Sequence, residues 1–201
     1  MCGRYSQVVN LGDIYEFAAD GNILAGADIL LQADVRPSME SLVIAPHKGK
    51  NYLTKMKWGW KRDWTKRLLI NGRIEEASTK SLWKDALVKQ RCIIPANGWW
   101  EWKEVDGKKT PYFHQPEGKG NIYFGAVYEK SDTGYDYVIM THNAVEQVKH
   151  IHHRMPVVIE PHDLQNWFHN PEWSTDFAST VNSPSSSNLN WNITELDPYK
   201  L

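Results

Sequence analysis

The chain has 201 residues, 23 Lys+Arg against 24 Asp+Glu, and 41% apolar content. That length suits one domain, or two small ones, and the composition excludes a disordered or fibrous chain. A formal net charge of −1 argues at first against a polyanionic partner, but residues 48–109 hold 16 Lys+Arg and 7 Asp+Glu, with seven of the ten tryptophans. The average conceals a basic, aromatic middle and an acidic remainder.

In chain order, C-G-R-Y-S at the start reads as a short strand and Leu11 to Ala19 as a helix. Asp34 to Ser38 reads as a turn, followed by strands at Leu42 to Ala45 and Tyr52 to Trp60. Leu68 to Ile70 is an apolar run closed by an Asn71-Gly72 turn signal. Ser78 to Lys89 reads as a helix capped by Ser78 or Thr79. Strands are expected at Arg91–Pro95, Trp99–Lys103, Thr110–His114, Ile122–Tyr128 and Tyr137–Thr141, with Asp106-Gly107 the clearest hairpin turn. Asn143 to His150 reads as a short helix, Pro156 to Ile159 as a strand, and Pro161 to Phe168 as a helix begun by proline. Val181 to Asn190 is Ser/Asn-rich and reads as an irregular connection. The expectation is a single α+β domain over 1–201: a mixed, mostly antiparallel sheet or barrel-like core with flanking helices, and a looser tail over 179–201.

Two cysteines, Cys2 and Cys92, without C-x-x-C, argue against a disulfide framework or a cysteine-rich zinc site. No run approaches the roughly 18 apolar residues of a membrane span, and M-C-G-R-Y-S-Q lacks the features of a signal peptide. The expected location is intracellular (cytoplasmic), with no membrane partner. No G-x-G-x-x-G or P-loop supports a nucleotide cofactor, and none is expected.

Four segments carry possible chemistry. Removal of Met1 would give Cys2 a free α-amine beside its thiol, a 1,2-aminothiol that condenses with an aldehyde; the plain alternative is a small buried residue. Ile70-Asn71-Gly72-Arg73-Ile74-Glu75 can present an amide and a guanidinium, the latter matched to phosphate, or be an ordinary turn. In Trp99-Trp100-Glu101-Trp102, rings around a carboxylate raise its pKa and suit it to proton transfer; the alternative is an exposed Glu at a sheet edge. On a strand, Trp99 and Glu101 share one face and Trp100 and Trp102 the other. In His150 to Pro156 the closely spaced histidines do not aim at one ion, so no metal is expected, and a single acid–base histidine with Arg154 near phosphate is simpler.

Taken in order, C-G-R-Y, I-N-G-R-x-E, R-C-I-I-P-A-N-G-W-W-E-W-K, P-Y-F and I-H-H-R-M-P resemble the SRAP family (SOS-response-associated peptidase, or abasic-site-processing proteins), from Cys2 to about Ile159. The resemblance implies a single-stranded DNA partner carrying abasic sites; nothing in the sequence suggests an obligate oligomer, and a monomer is expected. Cys2 would form a thiazolidine crosslink with the ring-opened sugar after Met1 is removed, by self-processing or by an aminopeptidase. It further implies that Asn71 orients the amine and sugar, Glu101 shuttles protons and His152 protonates the sugar oxygen. Arg4, Arg73 and Arg154 would contact phosphates, and Trp64 and Trp102 would stack on bases. One departure stands out: Asp34-Val35-Arg36-Pro37 lies where relatives usually have N-x-x-P, placing an acid near an expected DNA contact. A cysteine peptidase acting through Cys2 and a non-covalent single-strand binding module are the competing functions.

Overall fold

The computed structural model describes residues 2–18, 31–118, 120–181 and 189–200. In chain order the elements are β1 (Tyr5–Gln7), α1 (Leu11–Tyr15), β2 (Gln32–Val35), β3 (Glu40–His47), β4 (Lys50–Trp58), β5 (Trp60–Arg62), β6 (Thr65–Leu69), β7 (Asn71–Arg73), α2 (Ser81–Lys89), β8 (Arg91–Ala96), β9 (Gly98–Val105) and β10 (Lys108–Pro116). There follow β11 (Ile122–Ser131), β12 (Gly134–Asn143), α3 (Glu146–Lys149), β13 (Arg154–Pro156), α4 (Leu164–His169), α5 (Pro171–Thr180) and β14 (Trp191–Glu195), with a 3-10 turn at Pro198–Lys200.

The apolar strands pair in a ring. β11 joins β8, β8 joins β3, β3 joins β4, β4 joins β12, and β12 returns to β11, which makes the barrel-like core. Only the β12 pairings with β4 and β7 are parallel. Both faces of β3, β8, β11 and β12 are largely buried, which explains why their cores read as nearly continuous apolar runs, whereas β4 alternates buried with half-buried positions. Along β3, Leu42 and Ile44 join one cluster with Trp83, Leu87 and Trp167 of the helices. Val43 and Ala45 join a second cluster with Cys2, Tyr5, Val35 and Trp99. The period of two therefore builds three layers: helices, ring, and the five-stranded sheet β14-β10-β9-β1-β2. Full burial of each large apolar side chain contributes about 1.5–3 kcal/mol.

The layer bearing Cys2 is pinned to the ring by polar bonds. Tyr5 donates to Ser41 Oγ at 2.8 Å and shares a 2.7 Å bond with the Tyr137 hydroxyl. Gln7 donates to the carbonyls of Leu42 and Pro95 and accepts from the Leu42 amide. Gly98 opens β9 because a Cβ there would lie 2.3 Å from the Phe113 ring and 2.5 Å from the His114 carbonyl oxygen. The β9–β10 hairpin turns through Asp106-Gly107, with Val105 opposite Lys108, as the dipeptide predicts.

Several local expectations change. Asn71-Gly72 is not a turn: it lies in β7, where Ile139 of β12 stands opposite Asn71. Asp34 is in β2, not in the turn that follows. Lys80, whose side chain pairs with Glu76 and makes no capping bond, occupies the cap of α2, and Thr79 bonds back to the Glu76 carbonyl. The strand expected at Pro156 to Ile159 is shifted to β13, leaving Val158 as a single bridge to Phe124. α5 was not legible, nor was β14, which pairs along β10 from Tyr112 to Pro116. The connection expected over 181–190 falls largely outside the described residues, as does the end of the helix expected to reach Ala19. Among the described residues no helix is long and apolar enough to cross a membrane.

Candidate active site

β9 carries the centre of the site. The alternation places Trp99 in the cluster between sheet and ring, stacked on His114 with centroids 4.7 Å apart. Trp100 points the other way, against Phe113, and donates Nε1–H to the Leu196 carbonyl at 3.1 Å. Glu101 follows Trp99 inward and is only 3% exposed. Burial raises its carboxyl from 4.5 to about 7, in the range where one group both gives and takes a proton near neutrality. The sequence expectation of a desolvated carboxylate describes this residue; an exposed Glu at a sheet edge does not.

Cys2 is fully buried. Its Sγ donates to the Arg4 carbonyl at 3.9 Å, and burial, reinforced by the Glu101 charge, pushes the thiol well above its usual range. Asn71, at the head of β7, donates Nδ2–H to the Cys2 carbonyl at 2.8 Å, while its buried Oδ1 has no hydrogen-bond partner among the described residues. An amide with one end bound to Cys2 and the other unused is well placed to accept from a nitrogen on the same residue.

His152 precedes β13 and is half-buried. The Arg154 amide donates to its Nδ1 at 3.0 Å. The Arg154 carbonyl oxygen also lies 3.1 Å from Nδ1, so the backbone of Arg154 holds the His152 ring from that side. Burial lowers its pKa, with neighbouring positive charge adding to the effect. His152, Glu101, Trp102, Glu104 and Lys109 line an open cleft of about 570 Å³. The fold thus links residues scattered over 150 positions in sequence: Asn71 bonds Cys2, Glu101 acts on Cys2 electrostatically, and Glu101 and His152 line the same cleft.

The three arginines differ sharply. Arg73 has a side chain 57% exposed, with Glu76 at 3.5 Å. Arg4 is 4% exposed: its guanidinium makes two bonds to Asp34, 2.5 and 2.7 Å, under the ring of Tyr199 at 4.3 Å. Arg154 is 3% exposed and bonds both oxygens of Glu75, at 2.5 and 2.9 Å, Asn143 Oδ1 at 2.8 Å and the Thr141 carbonyl at 2.7 Å. Against the penalty of burial, Arg154 holds the Glu75 carboxyl below its usual range. Neither buried guanidinium is open to a ligand as it stands. Trp64, 69% exposed, sits in the turn between β5 and β6 among exposed Lys61, Lys66 and Arg67. Trp102 is partly buried at the cleft.

Sequence reasoning gave no role to Glu75 or Tyr199, whose partners Arg154 and Arg4 are distant in sequence, nor to Glu104 and Lys109, which stand opposite each other across the β9–β10 hairpin at the cleft. The Glu of I-N-G-R-x-E was the one available signal for Glu75. Among the described residues no group of three or more His, Cys, Asp or Glu is arranged to hold a metal ion.

A family model described as SOS response associated peptidase (SRAP) matches residues 1–195. The chain belongs to the SRAP family. It is 30% identical over 195 residues to the abasic site processing protein YoqW of Bacillus subtilis, covering 92% of this chain and 87% of that one. It is 29% identical over 175 residues to the abasic site processing protein YedK of Escherichia coli, covering 83% and 79%. A crystal structure of a Bacteroides thetaiotaomicron protein superposes with a TM-score of 0.77 at 18% identity, over 96% of this chain and 90% of that one, and so shares the fold.

Proposed function

We propose that this protein processes abasic sites in single-stranded DNA by forming a covalent bond through Cys2. The observation that carries the reading is the meeting of Cys2, the Asn71 amide and the buried Glu101 carboxyl beside the cleft that His152 lines. The names of the SRAP relatives support the substrate class.

The chemistry follows from the groups. Hydrolysis of the Met1–Cys2 peptide bond, by self-processing or by an aminopeptidase, turns the Cys2 amide nitrogen into an amine. His152 protonates the sugar ring oxygen, opening the abasic sugar to its aldehyde. The amine adds to the aldehyde carbon, and loss of one water gives an imine. Glu101 accepts the amine proton and returns a proton to the departing hydroxyl. The Cys2 sulfur then adds to the imine carbon as the thiol proton passes to nitrogen, closing a thiazolidine. The net change is aminothiol plus aldehyde to thiazolidine plus water, and the reverse sequence releases the DNA with its abasic site restored; lyase-like behaviour would instead proceed from the imine, by loss of a C2′ proton and departure of the 3′ phosphate. Asn71 Oδ1 accepts from the amine and orients it.

Arg73 makes the outward phosphate contact, and Trp64 and Trp102 supply stacking surfaces in a basic region, the requirements of sequence-tolerant single-strand binding. For Arg4 and Arg154, a phosphate contact requires displacing Asp34 or Glu75. The protein acts as an intracellular monomer on DNA whose lesion is shielded by the crosslink.

The test is incubation with single-stranded DNA carrying one abasic site, followed by a denaturing gel. A slowed band that disappears in Cys2→Ala is the expected result. A shift seen only on native gels would leave a non-covalent binding module, and Cys2-dependent cleavage of an unrelated protein would point to a peptidase.

A further inference from the structure

Residues 2–4 are held at both ends. Asn71 fixes the Cys2 carbonyl, the Trp100 amide donates to the Arg4 carbonyl at 3.0 Å, and Tyr5 enters β1 opposite Trp99. The Arg4 side chain adds an anchor of another kind. It reaches across to β2, where Asp34 accepts two parallel N–H bonds in the fork geometry that guanidinium and carboxylate share. Tyr199 lies over its other face. Arg36 stands 3.5 Å from the second Asp34 oxygen, so the single carboxylate faces two arginines. The Arg4 side chain is 5% exposed, whereas that of Arg36 is 55% exposed. An arginine enclosed this way works inward.

We infer that Asp34 is a positioning residue for Cys2, acting through Arg4: the Asp34–Arg4 fork fixes the segment that carries the nucleophile against Glu101 and Asn71. This deepens the abasic-site reading and rests on it. An amide in place of the Asp34 carboxylate would offer Arg4 one acceptor oxygen instead of two and no charge. Because Arg4 is spent on Asp34, it adds nothing to the salt dependence of DNA binding; the exposed Arg36 and Arg73 are the outward charges on this side. A misplacement of about 1 Å at a reacting group costs on the order of 100-fold in rate, so loosening residues 2–4 acts on crosslinking and not on affinity.

The experiment compares wild type, Asp34→Ala and Asp34→Asn. Single-turnover crosslinking is measured at saturating abasic single-stranded DNA, and salt-dependent affinity is measured on the same strand without the lesion. Asp34→Ala is expected to slow saturated crosslinking roughly 10- to 100-fold, with affinity and salt slope unchanged. Asp34→Asn, which retains the outline and one acceptor, is expected to fall between; its melting curve shows that it is folded, and it decides the matter if Asp34→Ala does not fold. Wild-type rates in a folded variant overturn the inference. So do tighter binding and a steeper salt slope, which would mark Arg4 as a phosphate contact that Asp34 merely masks. Failure of the wild type itself to crosslink is a separate result: it removes the abasic-site reading beneath.

Discussion

Cys2 and Cys92 are both free, both fully buried and both members of the same apolar cluster, yet their surroundings differ in kind. Cys92 sits within β8 between paired strands, and burial alone pushes its thiol up. Cys2 precedes β1, with a carboxyl acting on it electrostatically and an amide bound to its carbonyl. Burial raises both thiols, and Glu101 raises that of Cys2 further; what sets Cys2 apart is its place beside the Glu101 carboxyl and the Asn71 amide, next to the peptide bond whose hydrolysis the proposed chemistry requires. Within this chain the two cysteines serve as test and control.

The largest expected effect breaks that comparison outright. Cys2→Ala abolishes the denaturant-resistant DNA adduct, whereas Cys92→Ala leaves it intact and lowers stability by about 1 kcal/mol through a small cavity, read from denaturing gels and thermal melts. An adduct that follows Cys92 instead would reverse the assignment. Next, Glu101→Gln keeps the shape but not the proton, and should slow crosslinking by roughly 100- to 10,000-fold at neutral pH. A rate within the error of wild type would remove Glu101 from the proton path.

Buried and exposed arginines extend the contrast between the protein's inside and its edge. Arg154→Ala strands the Glu75 carboxylate and should cost about 3–5 kcal/mol, a drop of roughly ten degrees in Tm for a chain of this size. Arg73→Ala should barely alter Tm but flatten the plot of log affinity against log salt by about 0.7 for one lost single-strand phosphate contact. An unchanged slope would take Arg73 off the DNA.

The smallest effect concerns pH. With its carboxyl raised from 4.5 to about 7, folded Glu101 holds a proton that the unfolded chain has already lost. The native state binds more protons across that window, so its stability falls as pH rises from about 4.5 to about 7. Melts of Glu101→Gln should lack this decline, a difference of a few degrees between the ends of the window. Parallel curves for the two proteins would show that the buried carboxyl is ionised throughout.

Much of the fold was legible because burial on both faces leaves a mark in local sequence: R-C-I-I-P-A and Y-V-I-M-T are strands wherever they lie. Elements lacking that mark were misread. Asp34-Val35 sits beside Arg-Pro and looked like a turn, and Asn71-Gly72 carried a turn signal that pairing with β12 overrode. Trp191–Glu195 is polar enough to pass for tail, since β14 borrows its partners from β10.

The site divides along the same line. Sequence alone determined the candidate groups: a cysteine next to the initiator methionine, a carboxyl among tryptophans at Glu101, a histidine near Arg154 at His152, and a basic, tryptophan-rich middle hidden by a net charge of −1. These are properties of residue types and near neighbours. Which arginine faces water, that Asp34 pairs with Arg4, and that Glu75 pairs with Arg154 were decided by tertiary structure. Exposure and pairing depend on which distant strands the chain brings together, and no local pattern encodes that.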